Sequence, residues 1–292
     1  MRIDLRERYE TRRLLVKRNR PKYTSRSEIL ADYRALSEAP STVASAGAER
    51  FISLRGDAVE VKLNCGTCAL VSNSGHMSYS GLGDKIDEAQ CVFRLNAAPT
   101  LGHELDVGRK TTARVLSHRS FADLVANATS LLAKNTFIHN LFLYGSDYQF
   151  EAGSVPGLVE TVAENYPNLG LHRVGKSMTN EAEEQYRNHT GKTRISKESS
   201  SELSTGFYAL MVMKDVCSSI TVYGMTPEDY CRGNTDDIVP YSYFKNPSIS
   251  ECTMYDYHEK VPMGGLRLST ERRVFKAWSK ERDITFLNPS WD

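Results

Sequence analysis

Two short apolar runs that each finish on an asparagine constrain this chain most. Cys68-Ala-Leu-Val71 leads straight into the polar turn Ser72-Asn73-Ser74-Gly75, and Cys91-Val-Phe-Arg-Leu95 ends in Asn96. Apolar runs of this length, bounded by turn residues, read as strands. Two strands that each present an Asn at their end suit an open α/β sheet. Ligands of such sheets sit outside the carboxyl ends of the strands. An amide fits that position because it both donates and accepts hydrogen bonds. Read alone, each Asn equally well closes a turn.

The rest of the chain extends this pattern. Further strands are expected at Thr112–Leu116, Asn140–Tyr144, Leu171–Val174, Ile220–Tyr223 and Ile284–Leu287. Between them, Val155–Tyr166 carries Val155, Leu158, Val159 and Val162 at helical spacing. Ser204–Val216 and Thr270–Lys280 do the same with Phe207, Leu210 and Met211 and with Val274, Phe275 and Trp278. Alternating strands and helices predict a layered sheet covered on both faces. Residues 175–203 are polar and Lys/Ser-rich, long for a connection, and part of them reads as a mobile loop over a site or, equally well, as a disordered surface insertion. Residues 1–60, charged and Ala/Ser-rich with one short helix at Glu28–Leu36, read as a stem or linker. Residues 61–292 then form the folded domain.

A net charge of +1 gives no field to gather nucleic acid or a membrane surface. The first 26 residues are the exception, with ten Lys or Arg against Asp4, Glu7 and Glu10, and they read as a solvated basic arm. No apolar stretch approaches a membrane span, and the basic start lacks the apolar centre of a signal peptide. Six cysteines allow fifteen pairings. Cys65-Gly-Thr-Cys68 has zinc-ligand spacing, but no second CxxC or HxxxH follows to complete a site. Sequons at Asn127 and Asn188 and an even cysteine count lean toward an oxidising, secretory compartment. Cys231 and Cys252 form a candidate bridge from nearness in the chain.

Leu203-Ser-Thr-Gly206 precedes a helix. Ser204 and Thr205 can cap it, Gly206 lets an anion approach, and a helix N-terminus favours negative charge. Arg94 and Arg109 could complement a phosphate, although arginines in such a layer more often pair with Asp or Glu. Asp106-Val-Gly-Arg-Lys-Thr reads as a turn into the next strand.

Together these segments resemble the animal sialyltransferases, which move sialic acid from its CMP ester to a glycan. Residues 65–112 are similar to the family's large motif. Leu203 to Phe207, Cys217 and Ile220-Thr-Val-Tyr-Gly224 are similar to its small motif. Asp229-Tyr-Cys231, Val239-Pro-Tyr241, Glu251-Cys252, His258-Glu259, Thr270 to Trp278 and Asn288-Pro-Ser-Trp291 resemble in particular the α2,6-sialyltransferases that act on N-acetylgalactosamine in O-glycans or gangliosides. The resemblance implies a single-domain, Rossmann-like nucleotide-sugar transferase sheet, a variant of the GT-A type, with inverting chemistry and no metal or other cofactor. It implies donor contacts from Asn73, Ser74, Asn96, Ser204, Thr205 and Gly206, and a Cys68–Cys217 disulfide. It also implies a Golgi lumen location, with partners limited to CMP-sialic acid and a glycan on protein or lipid. The N-terminal membrane anchor usual in the family has no counterpart in this sequence.

Two positions depart from the family pattern. Ser242, in Tyr241-Ser-Tyr-Phe-Lys245, and Leu266, in Gly265-Leu-Arg-Leu-Ser-Thr-Glu271, replace the usual motif histidines. One of those contacts the departing phosphate; the other is the general base, a role imidazole fits because its pKa lies near working pH. The expected catalytic set is therefore His258, Glu271 and Tyr243, with His118 and His76 as alternative bases. The alternative function is a catalytically impaired protein that binds CMP-sugar or glycan.

Overall fold

The structure, a computed structural model, describes residues 50–56, 61, 63–133, 138–194, 200–233, 238–245 and 249–291. The basic arm and the helix expected at Glu28–Leu36 lie outside the described residues. The elements below all fall in one compact unit.

The strands are β1 (Phe51–Ser53), β2 (Cys65–Val71), β3 (Cys91–Leu95), β4 (Ala113–Ser117), β5 (Asn140–Tyr144), β6 (Gly170–Val174), β7 (Ser200–Glu202), β8 (Cys217–Tyr223), β9 (Met263–Leu266) and β10 (Ile284–Leu287). The longer helices are α1 (His118–Ala126), α2 (Val155–Asn165), α3 (Lys176–Thr190), α4 (Thr205–Val216), α5 (Glu251–Lys260) and α6 (Leu268–Glu281). Eight strands make one sheet in the order β1-β6-β5-β4-β3-β2-β8-β10. All neighbours are parallel except the edge pair β1 and β6. The chain steps outward from β2 to β6, then returns to place β8 on the other side of β2. That reversal puts the topological switch point at the carboxyl ends of β2 and β8, where open α/β sheets hold ligands.

Burial explains why these runs are strands. β3 is buried at every residue, as a parallel strand covered on both faces must be. Leu116, Leu141, Leu143 and Leu171 pack with Phe121 and Leu124 of α1 and with Val155, Val159 and Val162 of α2. Helix α4 is apolar nearly all round and buried along almost its whole length, as a helix layered between other elements should be. It meets β2, β3, β4 and β8 on one side and α3 on another, and its Phe207 ring meets Trp278 of α6 at 5.1 Å.

The expectations above differ from the structure in three places. The end of the presumed stem belongs to the sheet: Phe51–Ser53 pairs with His172–Val174, and Phe51 packs 5.2 Å from Phe142. Most of the presumed loop 175–203 is helix α3. Its buried face is only Met178, Ala182 and Tyr186, an i, i+4, i+8 stripe thin enough to be masked by its polar residues. The third is a small parallel pair, β7 with β9, which brings Glu202 opposite Leu266.

Three disulfides use all six cysteines: Cys65–Cys91, Cys68–Cys217 and Cys231–Cys252. The first two staple β2 to both its neighbours and hold the switch point from below. They also leave no thiolate at Cys65 or Cys68 to ligate zinc.

Candidate functional site

The carboxyl edge of the sheet carries two polar clusters. The first is built on the N-terminus of α4. Ser204 has extended backbone dihedrals, and its Oγ accepts from the Phe207 N–H at 3.1 Å, an N-cap. The same hydroxyl donates to Glu271 Oε2 at 2.5 Å, and the Ser204 N–H donates to Glu271 Oε1 at 2.8 Å. Glu271 is fully buried, which pushes its carboxyl up to about 7 against the pull of Ser204, Arg272 and Arg194. Next to it, Thr205 Oγ1 receives the Asn96 Nδ2–H at 3.2 Å and shares a 2.8 Å hydrogen bond with Tyr144 Oη. Asn96 turns the chain after β3 with φ of 50°, a left-handed conformation that Asn tolerates better than most residues. Its Oδ1 accepts from the Ser117 N–H at 3.1 Å. The strand ends of β3, β4 and β5 are thereby tied to one helix N-terminus.

The second cluster sits at the switch point. Ser72 Oγ donates to the Gly224 carbonyl at 2.8 Å. Gly224 has φ of 78°, and a Cβ there would lie 2.6 Å from Ser72 Oγ, so only glycine fits. Ser74 caps a 3-10 turn at Gly75–Met77, accepts from His76 N–H at 3.1 Å and donates to Glu251 Oε2 at 2.8 Å. Glu251 is buried, also accepts from Tyr255 Oη, and lies 3.4 Å from His76 Nε2. Asn73 differs from these residues. Its carbonyl accepts from the Tyr243 N–H at 3.0 Å, but its side-chain Oδ1 is buried without a partner. A buried amide oxygen left unmade is costly, and a ligand's hydroxyl or amino group would satisfy it.

The expected catalytic set is not assembled as the sequence suggested. Glu271 cannot touch a substrate, because both its oxygens serve Ser204; it is a positioning group. Tyr243 is 8% exposed, donates to the Pro99 carbonyl at 2.7 Å and is pushed up to about 12 by burial, so it fastens the loop after β3. His258 lies beside Leu266 as expected, but its Nδ1 accepts from the Leu266 N–H at 3.3 Å. In the neutral ring Nε2 then carries the proton, which leaves no lone pair for a base. Burial and Arg267 lower its pKa, so the neutral form prevails. Ser242 accepts from the backbone N–H groups of Phe244 and Lys245 at 3.4 and 3.3 Å and caps its own turn.

Other expected residues take structural places. Arg94 is buried and donates to the Val107 and Lys110 carbonyls and to Thr111 Oγ1, with the Asp87 carboxylate close enough to support its charge. Arg114, its register partner, donates to the Asn96 and Ala98 carbonyls, and burial lowers it to about 9. Arg109 is exposed, and its backbone N–H binds Asp87. Asn127 and Asn188 are both exposed, at the end of α1 and on the last turn of α3. Sequence reasoning missed Tyr144 and Arg114, and it matched Glu251 to the family without giving it a role. Glu251 stands in the first turn after the N-cap Ser250, where an acidic residue needs no further reason.

The sequence profile of glycosyltransferase family 29 (sialyltransferase) matches residues 22–261. The chain belongs to this family. It is 38% identical over 236 residues to the human α-N-acetyl-neuraminyl-2,3-β-galactosyl-1,3-N-acetyl-galactosaminide α2,6-sialyltransferase, covering 79% of this chain and 76% of that one. With the mouse α-N-acetylgalactosaminide α2,6-sialyltransferase 3 it shares 36% over 233 residues, covering 79% and 75%. A crystal structure of a mammalian sialyltransferase covers 98% of this chain and 86% of its own at 16% identity, with a TM-score of 0.47. As a member of the family, this sialyltransferase is a glycosyltransferase.

Proposed function

We propose that this sialyltransferase transfers sialic acid from CMP-sialic acid, with inversion, to the 6-hydroxyl of N-acetylgalactosamine in an O-glycan or ganglioside. The α2,6 linkage and the acceptor sugar rest on the names of the relatives it resembles. The observation that carries the donor assignment is the N-terminus of α4, held in place by Glu271 and facing Asn96 at the carboxyl edge of the sheet. A helix N-terminus suits the phosphate of CMP. Asn73 offers an amide oxygen to the nucleotide, and Ser74 and Gly206 complete the turn and the helix start. These backbone donors meet the charge that develops on the leaving phosphate, so the reaction takes no metal or other cofactor. The location is the Golgi lumen, with three disulfides to match an oxidising compartment. Glycans sit at the exposed Asn127 and Asn188. Among the described residues no helix is long and apolar enough to cross a membrane.

The test is incubation with CMP-sialic acid and Gal-GalNAc acceptors, sialylated or not, with and without a chelator, followed by linkage analysis. The expected result is acceptor-dependent CMP release, a 6-linked product and no chelator effect. Linkage to another hydroxyl, or release that ignores the acceptor, would sink the proposal.

A further inference from the structure

An acceptor hydroxyl that attacks the anomeric carbon must lose its proton, and among the described residues around Ser242 and Leu266 no group stands ready to take it. The seven histidines can be sorted by place. His172 is buried inside β6, His139 precedes β5 at the opposite edge of the sheet, and His189 ends α3. His258 is held in the wrong tautomer. His76 lies against Glu251 and edge-on to Tyr230, and His103 packs edge-on against Tyr243. His118 alone follows directly on a strand end already tied to the α4 cluster, since Ser117 donates to Asn96.

The surroundings of His118 fit a base. Its ring is half-buried beside Gly145, where a Cβ would lie 2.5 Å from Nδ1. Gly145 follows Tyr144, whose hydroxyl binds Thr205. Nδ1 is the buried nitrogen, which leaves Nε2 as the one to take a proton. The charged groups around the ring are Arg119 on its own helix and Glu202 on β7, which bond each other at 2.6 Å. Glu202 is also the register partner of Leu266, so His118 borders the place where the motif base is missing.

We infer that His118 is the general base of this chain, taking the proton of the acceptor hydroxyl at Nε2. The inference rests on the transferase reading above. In the step, the hydroxyl oxygen bonds to the anomeric carbon of the donor. The bond from that carbon to the phosphate oxygen breaks, and CMP leaves with the electron pair. The hydroxyl proton passes to His118 and then to water. Burial and Arg119 lower the ring's pKa, against Glu202 and the Tyr144 backbone, which keeps it uncharged and ready near neutral pH.

The experiment compares the full chain with His118→Asn and His118→Gln, measuring transfer against pH, CMP affinity by calorimetry, and the unfolding midpoint. Expected are a 10²- to 10⁴-fold loss of kcat, CMP affinity within about twofold, loss of the acidic limb of the kcat profile, and partial recovery with added imidazole. Turnover within threefold of the parent in either variant would overturn the inference. So would a loss of turnover matched by equal losses of CMP affinity and stability, because that pattern marks a structural residue. A parent chain that binds CMP yet transfers nothing would overturn both the base and the transferase reading, and is distinguishable because the parent itself fails.

Discussion

The N-terminus of α4 and the region around Ser242 and Leu266 are built on opposite plans. Around the N-terminus of α4, every polar side chain holds another: Glu271 grips Ser204, Thr205 bonds Asn96 and Tyr144, and Asn96 bonds Ser117. Around the 241–245 and 263–266 segments, side chains bond backbone N–H groups instead. Ser242 caps its own turn, and His258 spends Nδ1 on the Leu266 N–H. The first region is cross-linked by side-chain hydrogen bonds between elements. In the second, Ser242 and Leu266 hold no other element in place through their side chains. A nucleotide bound at the first region and a proton moved at the second would thus call on separate parts of the fold.

The largest expected effect comes from Glu271→Ala, which would strip both partners from Ser204. Leaving two buried donors unmade costs about 2 kcal/mol or more. Because α4 then loses its fixed start, CMP affinity should fall by about a hundredfold. Unchanged affinity in calorimetry would mean that the helix start is not the donor site. Next, Leu266→His placed in the His118→Asn background should recover at least about tenfold in kcat, since the two positions flank Glu202. No recovery would separate those positions and break the comparison. Ser204→Ala removes an N-cap as well as a partner of Glu271, and should cost about 1–2 kcal/mol in chemical unfolding.

A paired substitution sharpens the contrast further. Asn73→Ala should weaken CMP by about tenfold and leave stability unchanged, because its Oδ1 has no partner to lose. Asn96→Ala should weaken CMP and also lower stability, by about 1 kcal/mol. Equal stability losses in both would show that Asn73 is structural.

The last effect is in the pH dependence of stability and leaves donor binding aside. The folded-state pKa of Glu271 is raised, to about 7, above its ordinary 4.5. The native state therefore binds more protons than the unfolded one between these values, and stability falls as pH rises through that window. Glu271→Gln should flatten this slope and leave a gain of a few kcal/mol at most at pH 8. An unchanged slope would place the titration elsewhere.

Much of this architecture could be read from the chain because parallel strands buried on both faces leave short, unbroken apolar runs. Cys91–Leu95, Asn140–Tyr144 and Ile284–Leu287 carry the boundaries the sequence suggests. Helix α3 escaped because three buried side chains cannot outweigh twelve polar or small neighbours in periodicity. The pair β7 and β9 escaped because residues such as Gly264 and Gly265 carry no strand signal. The cluster at the start of α4 was legible because caps and strand-end amides have fixed local grammar. Roles set by contacts remote in sequence were not: Glu271 meets Ser204 across 67 residues, and nothing local distinguishes its gripping a helix start from its facing a substrate.

The central claim is that the donor end of the site is complete in this chain. Calorimetric titration of the parent chain and Asn73→Ala with CMP, near pH 7 and in a chelator, tests it most directly. The account predicts saturable one-to-one binding to the parent, weakened about tenfold in the variant with no change in unfolding midpoint. Absence of binding to the parent, or equal binding to both, would contradict it.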